Sequence, residues 1–490
     1  MRYSLILALV VVLLSAPTVA PGTGVSFSQD EFARRRGVVL DAIGPNAIAV
    51  IKGNEGVPAY KEFRQDNTFY YLTGVEVPGA TLLLEGSRRR AVLFLPERRE
   101  AKERMEGPVM IPGEPARQAT GIPEVLSTTE LGVVLQKSAI GHERLFTPMV
   151  PMELGAYSRD VATQYNTAIT NDPWDGRSSR EQHFVTLLRE RLPNASIADL
   201  TPIIDRMRQV KSVQEIALIR KATELAAAGL TEAMRSTQPG QYEYEIDALA
   251  QFVFLRNGAQ GMAYYAIVAS GQNAWYPHYH ANSAVLKSGD LVLMDFAPDY
   301  RYYVSDVTRM WPVSGKFTGE QRQLYGFYLD CYKAILRNIR PRVPVNSILA
   351  RAADDMELIL ARQTFTNERH RQAARNFVAD YRRNAQRPGP GSLGHWIGMS
   401  AHDVGSPVDS LQPGMTFTIE PQFKVPEVKL YFRLEDALLV TDTGVENMSA
   451  MAPIEMNAIE AVMKEEGILE RSQRLFPRES MHSGRQQLHR

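Results

Sequence analysis

The run Asp290-Leu-Val-Leu-Met-Asp-Phe296, followed by Ser305-Asp-Val-Thr-Arg309, decides how the rest of this chain is read. Residues 291–296 form an apolar run of strand length. Asp295 stands inside it, and Asp306 stands inside the next, tyrosine-rich run, which also reads as a strand. A carboxylate in such a setting is costly unless something neutralises it. Two of them on neighbouring strands ask for a cation. Working outward, three more polar groups sit in apolar frames: His395 in Gly-His-Trp-Ile-Gly, Glu420 at the end of Thr-Phe-Thr-Ile-Glu, and Glu435 after Tyr-Phe-Arg-Leu. Singly, each has a plain structural explanation: an Asp paired with an arginine, a core histidine, a Glu capping a turn. Jointly, four carboxylates and one imidazole suit two divalent ions such as Mn, Fe, Co or Zn, and carboxylates can bridge such a pair.

The bulk numbers leave room for this and exclude other classes. A chain of 490 residues can hold two or three domains and a large core. Lys+Arg and Asp+Glu are both 55, so the net charge is zero. That argues against a nucleic-acid binder or a basic membrane-surface protein. The single cysteine, Cys331, rules out an internal disulfide framework. It sits in a helical pattern and reads as a buried structural thiol.

At the N-terminus, Arg2 precedes an apolar run over 5–14 and then Ser-Ala-Pro-Thr-Val-Ala. This is the pattern of a secretory signal over residues 1–22, with cleavage near Ala20. The run is too short to span a bilayer, which takes about 20 apolar residues. The protein is therefore expected to be exported, to the periplasm or beyond, with no stable membrane span. A helix is expected over 28–45, and strands over 47–52, 80–85 and 90–95. The alternation predicts a smaller α/β domain over 28–165. The polar, proline-bearing stretch 143–180 reads as irregular, and 166–200 as a linker that carries one helix over 181–192. Long helices are expected over 212–234, 244–257 and 319–337, within a second domain over 201–468. A polar tail over 469–490 closes the chain.

At this point the sequence resembles a known family. The frames are Pro-His-Tyr at 277–279, Leu-Val-Leu-Met-Asp at 291–295, Ser-Asp-Val-Thr-Arg-Met-Trp-Pro-Val at 305–313, Gly-His-Trp-Ile-Gly-Met-Ser-Ala-His-Asp-Val-Gly at 394–405, Gln-Pro-Gly-Met-Thr-Phe-Thr-Ile-Glu-Pro at 412–421 and Arg-Leu-Glu-Asp at 433–436. They resemble the pita-bread metallopeptidases: Xaa-Pro aminopeptidase (aminopeptidase P), prolidase and methionine aminopeptidase. Arg-Gln-Asp-Asn-Thr-Phe-Tyr-Tyr-Leu-Thr-Gly at 64–74 looks like the signature of the aminopeptidase P N-terminal domain, which methionine aminopeptidases lack. The implied fold is α+β: a pita-bread catalytic domain with a curved antiparallel sheet, preceded by the α/β domain.

The resemblance also implies the chemistry. Asp295, Asp306, His395, Glu420 and Glu435 would hold two divalent ions, Mn²⁺ first, with Zn²⁺, Co²⁺ or Fe²⁺ as alternatives. Asp295 would serve one ion, Asp306 and Glu435 would bridge both, and His395 and Glu420 would complete the second. A hydroxide between the ions would attack the peptide carbonyl, with Glu420 moving the proton. His278 and His402 match histidines that contact substrate and stabilise the oxyanion. Arg433, two residues before Glu435, is expected to pair with a carboxylate or hold the substrate. The implied reaction removes the N-terminal residue from peptides with proline in the second position. Cleavage of X-Pro dipeptides, and a non-catalytic peptide binder on the same fold, are the alternatives. The resemblance implies a dimer or tetramer.

Two departures stand out. Family members often carry a histidine four residues before the ligand histidine, where this chain has Gly391. Upstream, residues 367–387 hold six arginines against Glu368 and Asp380. A dock for acidic peptide is one reading of that run. A solvated helix face is the preferred one.

Overall fold

The computed structural model describes residues 27–56, 61–153, 158–389 and 391–475, with side chains to 471. The signal expected at 1–22 lies outside them. Among the described residues, no helix is long and apolar enough to cross a membrane.

The N-terminal part is built on one six-stranded sheet. Its strands are β1 (Ala47–Lys52), β2 (Thr81–Glu85), β3 (Arg90–Leu95), β4 (Glu124–Ser127), β5 (Arg144–Thr147) and β6 (Ser196–Asp199), in the order β4-β3-β2-β1-β5-β6. β1, β2 and β3 pair antiparallel, and β4, β5 and β6 add in parallel. β1 and β2 are buried on both faces, as their unbroken apolar runs require. Helix α1 (Gln29–Ile43) starts at Ser28, whose hydroxyl accepts from Glu31 N at 3.2 Å, and lays Phe32, Val39, Leu40 and Ile43 on the sheet.

Two expectations need correction here. The stretch 143–180 is not irregular, since it holds β5 and the helix Arg159–Asn171. Nor is 166–200 a linker. The helix expected over 181–192 is present as Arg180–Arg191, but it is followed by β6, which extends the sheet beside β5. Leu188 and Leu192 are buried with Phe184 and Ile197 against the sheet, so this segment closes one face of it. The start of the expected tail is also ordered: helix Ile468–Leu475 is held at its first turn by Glu232 and Ser236.

The second part packs long helices around short antiparallel strands. Helix Val213–Ser236 opens with a capping box, Ser212 and Glu215 bonding each other's backbone N–H. Strand Leu291–Asp295 lies between Ile267–Ser270 and Thr308–Pro312, and Thr416–Ile419 pairs with Asp436–Val440. These two groups meet at one antiparallel bridge between Thr308 and Glu435. Cys331 is buried in helix Gly319–Asn338, and burial pushes its thiol up.

The two parts are latched by the 64–74 segment. Helix α2 (Asn67–Thr73) starts at Asp66, whose carboxylate accepts from Phe69 N. Arg64 pairs with Asp299 at 2.6 Å and lies over the Tyr302 ring. Tyr70 stacks on Tyr302, with ring centroids 3.6 Å apart. Asn67 Nδ2 donates to Ser400 Oγ at 3.1 Å. The segment's residue pattern is therefore a contact surface for the second part.

Candidate metal centre

Strand register alone builds the site. Asp295 sits opposite Thr308, and Thr308 sits opposite Glu435. Ile419 pairs with Asp436, so one further step sets Glu420 opposite Glu435. Directly opposed residues present their side chains on one face. Asp295, Thr308, Glu435 and Glu420 therefore form a row across the sheet. Asp306 lies two residues before Thr308, which returns its side chain to that face. It is not inside a strand as expected. It falls between Tyr303–Val304 and Thr308–Pro312, where the neighbouring Ser305 turns its hydroxyl to Thr223 at 2.8 Å. His395 comes alongside because its carbonyl accepts from Thr418 N at 2.8 Å.

The result is a dense acidic cluster. Ligand atoms of Asp295, Asp306 and Glu435 lie within 4.8 Å of one another, and so do those of His395, Glu420 and Glu435. Asp295, Asp306 and Glu435 are all buried. His395 Nε2 faces Glu435 Oε1 at 3.3 Å, Asp306 Oδ2 at 3.6 Å and Glu420 Oε1 at 3.9 Å. Its Nδ1 is 3.2 Å from the Trp396 carbonyl. A proton on Nδ1 satisfies that carbonyl and leaves the Nε2 lone pair for a cation. Arg433, also buried, forms an ion pair with Asp295 through Nη2 and sets Nη1 3.7 Å from Glu420 Oε2.

Electrostatics follow from this crowding. Burial and then the charges of Glu435 and Asp295 push the Asp306 carboxyl well above its usual range. Burial and Glu435 likewise raise Glu420. Burial opposes the charged form of His395, yet the close approach of Glu435 and the neighbouring Glu420 lift it to about 9. His402 goes the other way: burial and the adjacent His395 lower it to about 4, so it is neutral at pH 7. The two rings stack with centroids 3.9 Å apart.

The cluster forms the floor of a cavity of about 240 Å³, with His278, His402, Tyr264, Tyr265, Ser158 and Val161 on its walls. His280 is exposed and lies against the Tyr265 ring but does not itself line the cavity. The sequence is similar to known proteins over nearly its whole length. Residues 217–442 match metallopeptidase family M24, and residues 32–146 match the aminopeptidase P N-terminal domain. The Xaa-Pro aminopeptidase of Escherichia coli (strain K12) is 30% identical over 456 residues, which cover 89% of this chain and 98% of that one. This chain belongs to metallopeptidase family M24.

Other comparisons place it beside the same members. The Xaa-Pro aminopeptidase of Haemophilus influenzae is 31% identical over 463 residues, covering 89% of this chain and 97% of the relative. The structure of E. coli aminopeptidase P with the inhibitor Pro-Leu superposes with a TM-score of 0.72 at 29% identity, covering 91% of this chain and all of that one. The fold is the pita-bread catalytic domain with its N-terminal domain.

An M24 metallopeptidase implies divalent metal ions, and the donor set fits them. Glu435 Oε1 is buried without a well-aligned hydrogen bond, although His395 Nε2 is near. Tyr264 Oη lies 2.7 Å from Asp295 Oδ1 and 2.5 Å from Asp306 Oδ1. One hydroxyl proton cannot serve two carboxylates fully. The cluster is thus short of positive charge, which cations supply.

Some contributors had no signal in the sequence. Tyr264 stands in Met-Ala-Tyr-Tyr-Ala, with no charged frame around it. Asp160, on the first turn of helix Arg159–Asn171, brings Oδ2 to 3.9 Å from His402 Nδ1. Arg208 pairs with both Glu153 at 2.8 Å and Asp403 at 2.6 Å, bracing the loop that carries His402.

The two departures have physical accounts. A Cβ on Gly391 would run into Asn346 and meet Val345 and Leu349 at 3.0 Å. A histidine there requires the side chains of Asn346, Leu349 and Val345 to shift. The arginine-rich run is helix Glu368–Ala385, which buries His370, Ala373, Ala374, Phe377 and Val378. Arg371 pairs with Glu368, and Arg382 with Asp354 and Glu357. The rest of the basic side turns outward, as a solvated helix face does.

Proposed function

We propose that this protein is an exported two-metal hydrolase that removes the N-terminal residue from peptides with proline in the second position. The observation that carries the reading is the single row of acids centred on Glu435, closed by His395 and capped by two non-ligand histidines. Support for the proline preference comes from the relatives, which are Xaa-Pro aminopeptidases, and from the E. coli enzyme's inhibitor Pro-Leu. Asp295, Asp306 and Glu435 would hold one ion, and His395, Glu420, Glu435 and Asp306 the other, with Mn²⁺ our choice of metal. Such ions supply a Lewis acid for the carbonyl and a more acidic attacking water.

The chain's own residues do the rest. Glu420 lines the cavity beside the other acids, where its carboxylate can accept the water's proton and return it to the proline nitrogen. His402, neutral at pH 7, can donate an N–H to the oxygen on which charge develops. His278 faces the same cavity. Arg433 neutralises Asp295 and holds it in place. Residues 1–22 are read as the export signal, and the working unit as a dimer or tetramer.

The test is cleavage of Arg-Pro-Pro, Gly-Pro and a proline-free peptide by purified protein with Mn²⁺. Arg-Pro-Pro should be cleaved and the other two spared. Exhaustive chelation should abolish turnover and Mn²⁺ should restore it. No cleavage with Mn²⁺, Zn²⁺, Co²⁺ or Fe²⁺ refutes the reading. Glu420→Gln should lower kcat by about 10²–10⁴, the usual contribution of a general acid–base group. Full activity in that variant removes Glu420 from the proton path.

A further inference from the structure

His278 reaches into the cavity from a loop, and the loop explains little of its own order. Between the short 3₁₀ turn Gly271–Trp275 and strand Leu291–Asp295, the described chain has no helix or strand. The His278 imidazole makes no hydrogen bond among the described residues. Its carbonyl faces Tyr265 Oη at 3.5 Å and His280 Nδ1 at 3.4 Å. Its ring nevertheless lies near enough to influence both Glu420 and His402.

What holds this loop is one buried carboxylate. Glu243, at the first position of helix Glu243–Arg256, is fully buried. Its Oε1 accepts from Ser270 N at 2.8 Å, Ser270 Oγ at 2.8 Å and Asn273 Nδ2 at 3.0 Å. Its Oε2 accepts from Tyr279 Oη at 2.8 Å and Ala284 N at 2.9 Å. These five donors are neutral and come from both ends and the middle of the 270–284 segment. A buried carboxylate surrounded by hydrogen bonds is tolerated without a cation. Tyr279, one of the five, is the residue next to His278. The charge is thus spent on fixing that segment, at the one place where it enters the cavity.

We propose that Glu243 is a positioning residue for His278. It acts through the loop, touching neither substrate nor metal. The inference rests on the cavity being the peptidase site. An amide at 243 would turn an N–H toward donors, so Glu243→Gln should loosen the loop while keeping the side chain's shape.

Expected results are a kcat lowered by about 10–100-fold, the range for partners that orient an active group, with KM within about twofold and metal content unchanged. In a His278→Ala background, Glu243→Gln should cause no further loss, because both changes remove the same contribution. Tyr279→Phe, which deletes a single bond, should behave the same way more weakly and covers the case in which Glu243→Gln does not fold. Hydrogen exchange of the amides of 273–284 should speed up in both variants, with or without metal. Losses that multiply in the double variant overturn the proposal, as do unchanged exchange rates. If the parent protein cleaves no peptide, the peptidase reading falls, while exchange still reports whether Glu243 anchors the loop.

Discussion

Replacing Glu435 by alanine should cut turnover of Arg-Pro-Pro by at least about a thousandfold and leave the protein unable to retain two divalent ions. Glu435 is the carboxylate common to both ligand groups, the one with Asp295 and Asp306 and the one with His395 and Glu420. Metal ions contribute several kcal/mol to such transition states, and each tenfold in rate corresponds to about 1.4 kcal/mol. Elemental analysis after dialysis gives the metal count, and steady-state kinetics give the rate. The fold should survive. Glu435 is a leading source of the repulsion that raises Asp306, so its removal relieves the metal-free cluster. What is lost is the hydrogen bond from Thr308 Oγ1 to Glu435 Oε2 at 2.9 Å. The metal-free variant should therefore melt close to the metal-free parent. Two bound equivalents together with activity within tenfold of the parent would sink the assignment.

Arg309→Met should be the most destabilising of the changes considered, at about 3–5 kcal/mol, the usual consequence of removing one partner from a buried ion pair. Arg309 is fully buried beside the row of acids. Its Nη2 pairs with Asp436 Oδ1 at 2.6 Å and donates to the Ser449 carbonyl at 3.0 Å. Its Nη1 donates to the carbonyls of Glu435 at 2.7 Å and Thr308 at 3.0 Å, and Nε to that of Ala452 at 3.0 Å. Burial alone would raise the Asp436 carboxyl, but Arg309 and the hydroxyls of Ser449 and Tyr332 hold it below its usual range. Without the guanidinium, a buried carboxylate and several carbonyls lose their partner. Chemical denaturation should show the drop. Arg309→Met combined with Asp436→Leu should recover part of it, since a buried pair exchanged for apolar groups is often neutral. A single variant within about 1 kcal/mol of the parent would mean that the surrounding donors suffice.

The acids and the histidine of the candidate centre could be picked out of the sequence because each interrupts an apolar run, and apolar runs are what strand readings rest on. What could not be seen was the register. That Asp295, Thr308, Glu435 and Glu420 fall in one row depends on a pairing between residues 127 apart in the chain, Thr308 and Glu435, and local pattern holds no such information. Tyr264 escaped for a related reason: a tyrosine among small residues looks like any core aromatic. β6 was hidden by its length, four residues with two apolar ones, in a polar stretch that read as a linker. Its strand character comes from β5, which lies beside it. Asp160 reaches His402 from helix Arg159–Asn171, which lies in the same polar stretch and was hidden with it.

The latch between the two parts has a consequence for how this chain can be divided. The loop carrying His402 is gripped by Asn67 through Ser400 and by Arg208 through Asp403. Arg208 is in turn tied to Glu153, which comes from the N-terminal part. A fragment beginning near residue 213 would retain all eight candidate site residues and lose both grips. Modularity in sequence is therefore not independence in action: a trimmed, transplantable peptidase is not to be had by cutting between the two matched regions.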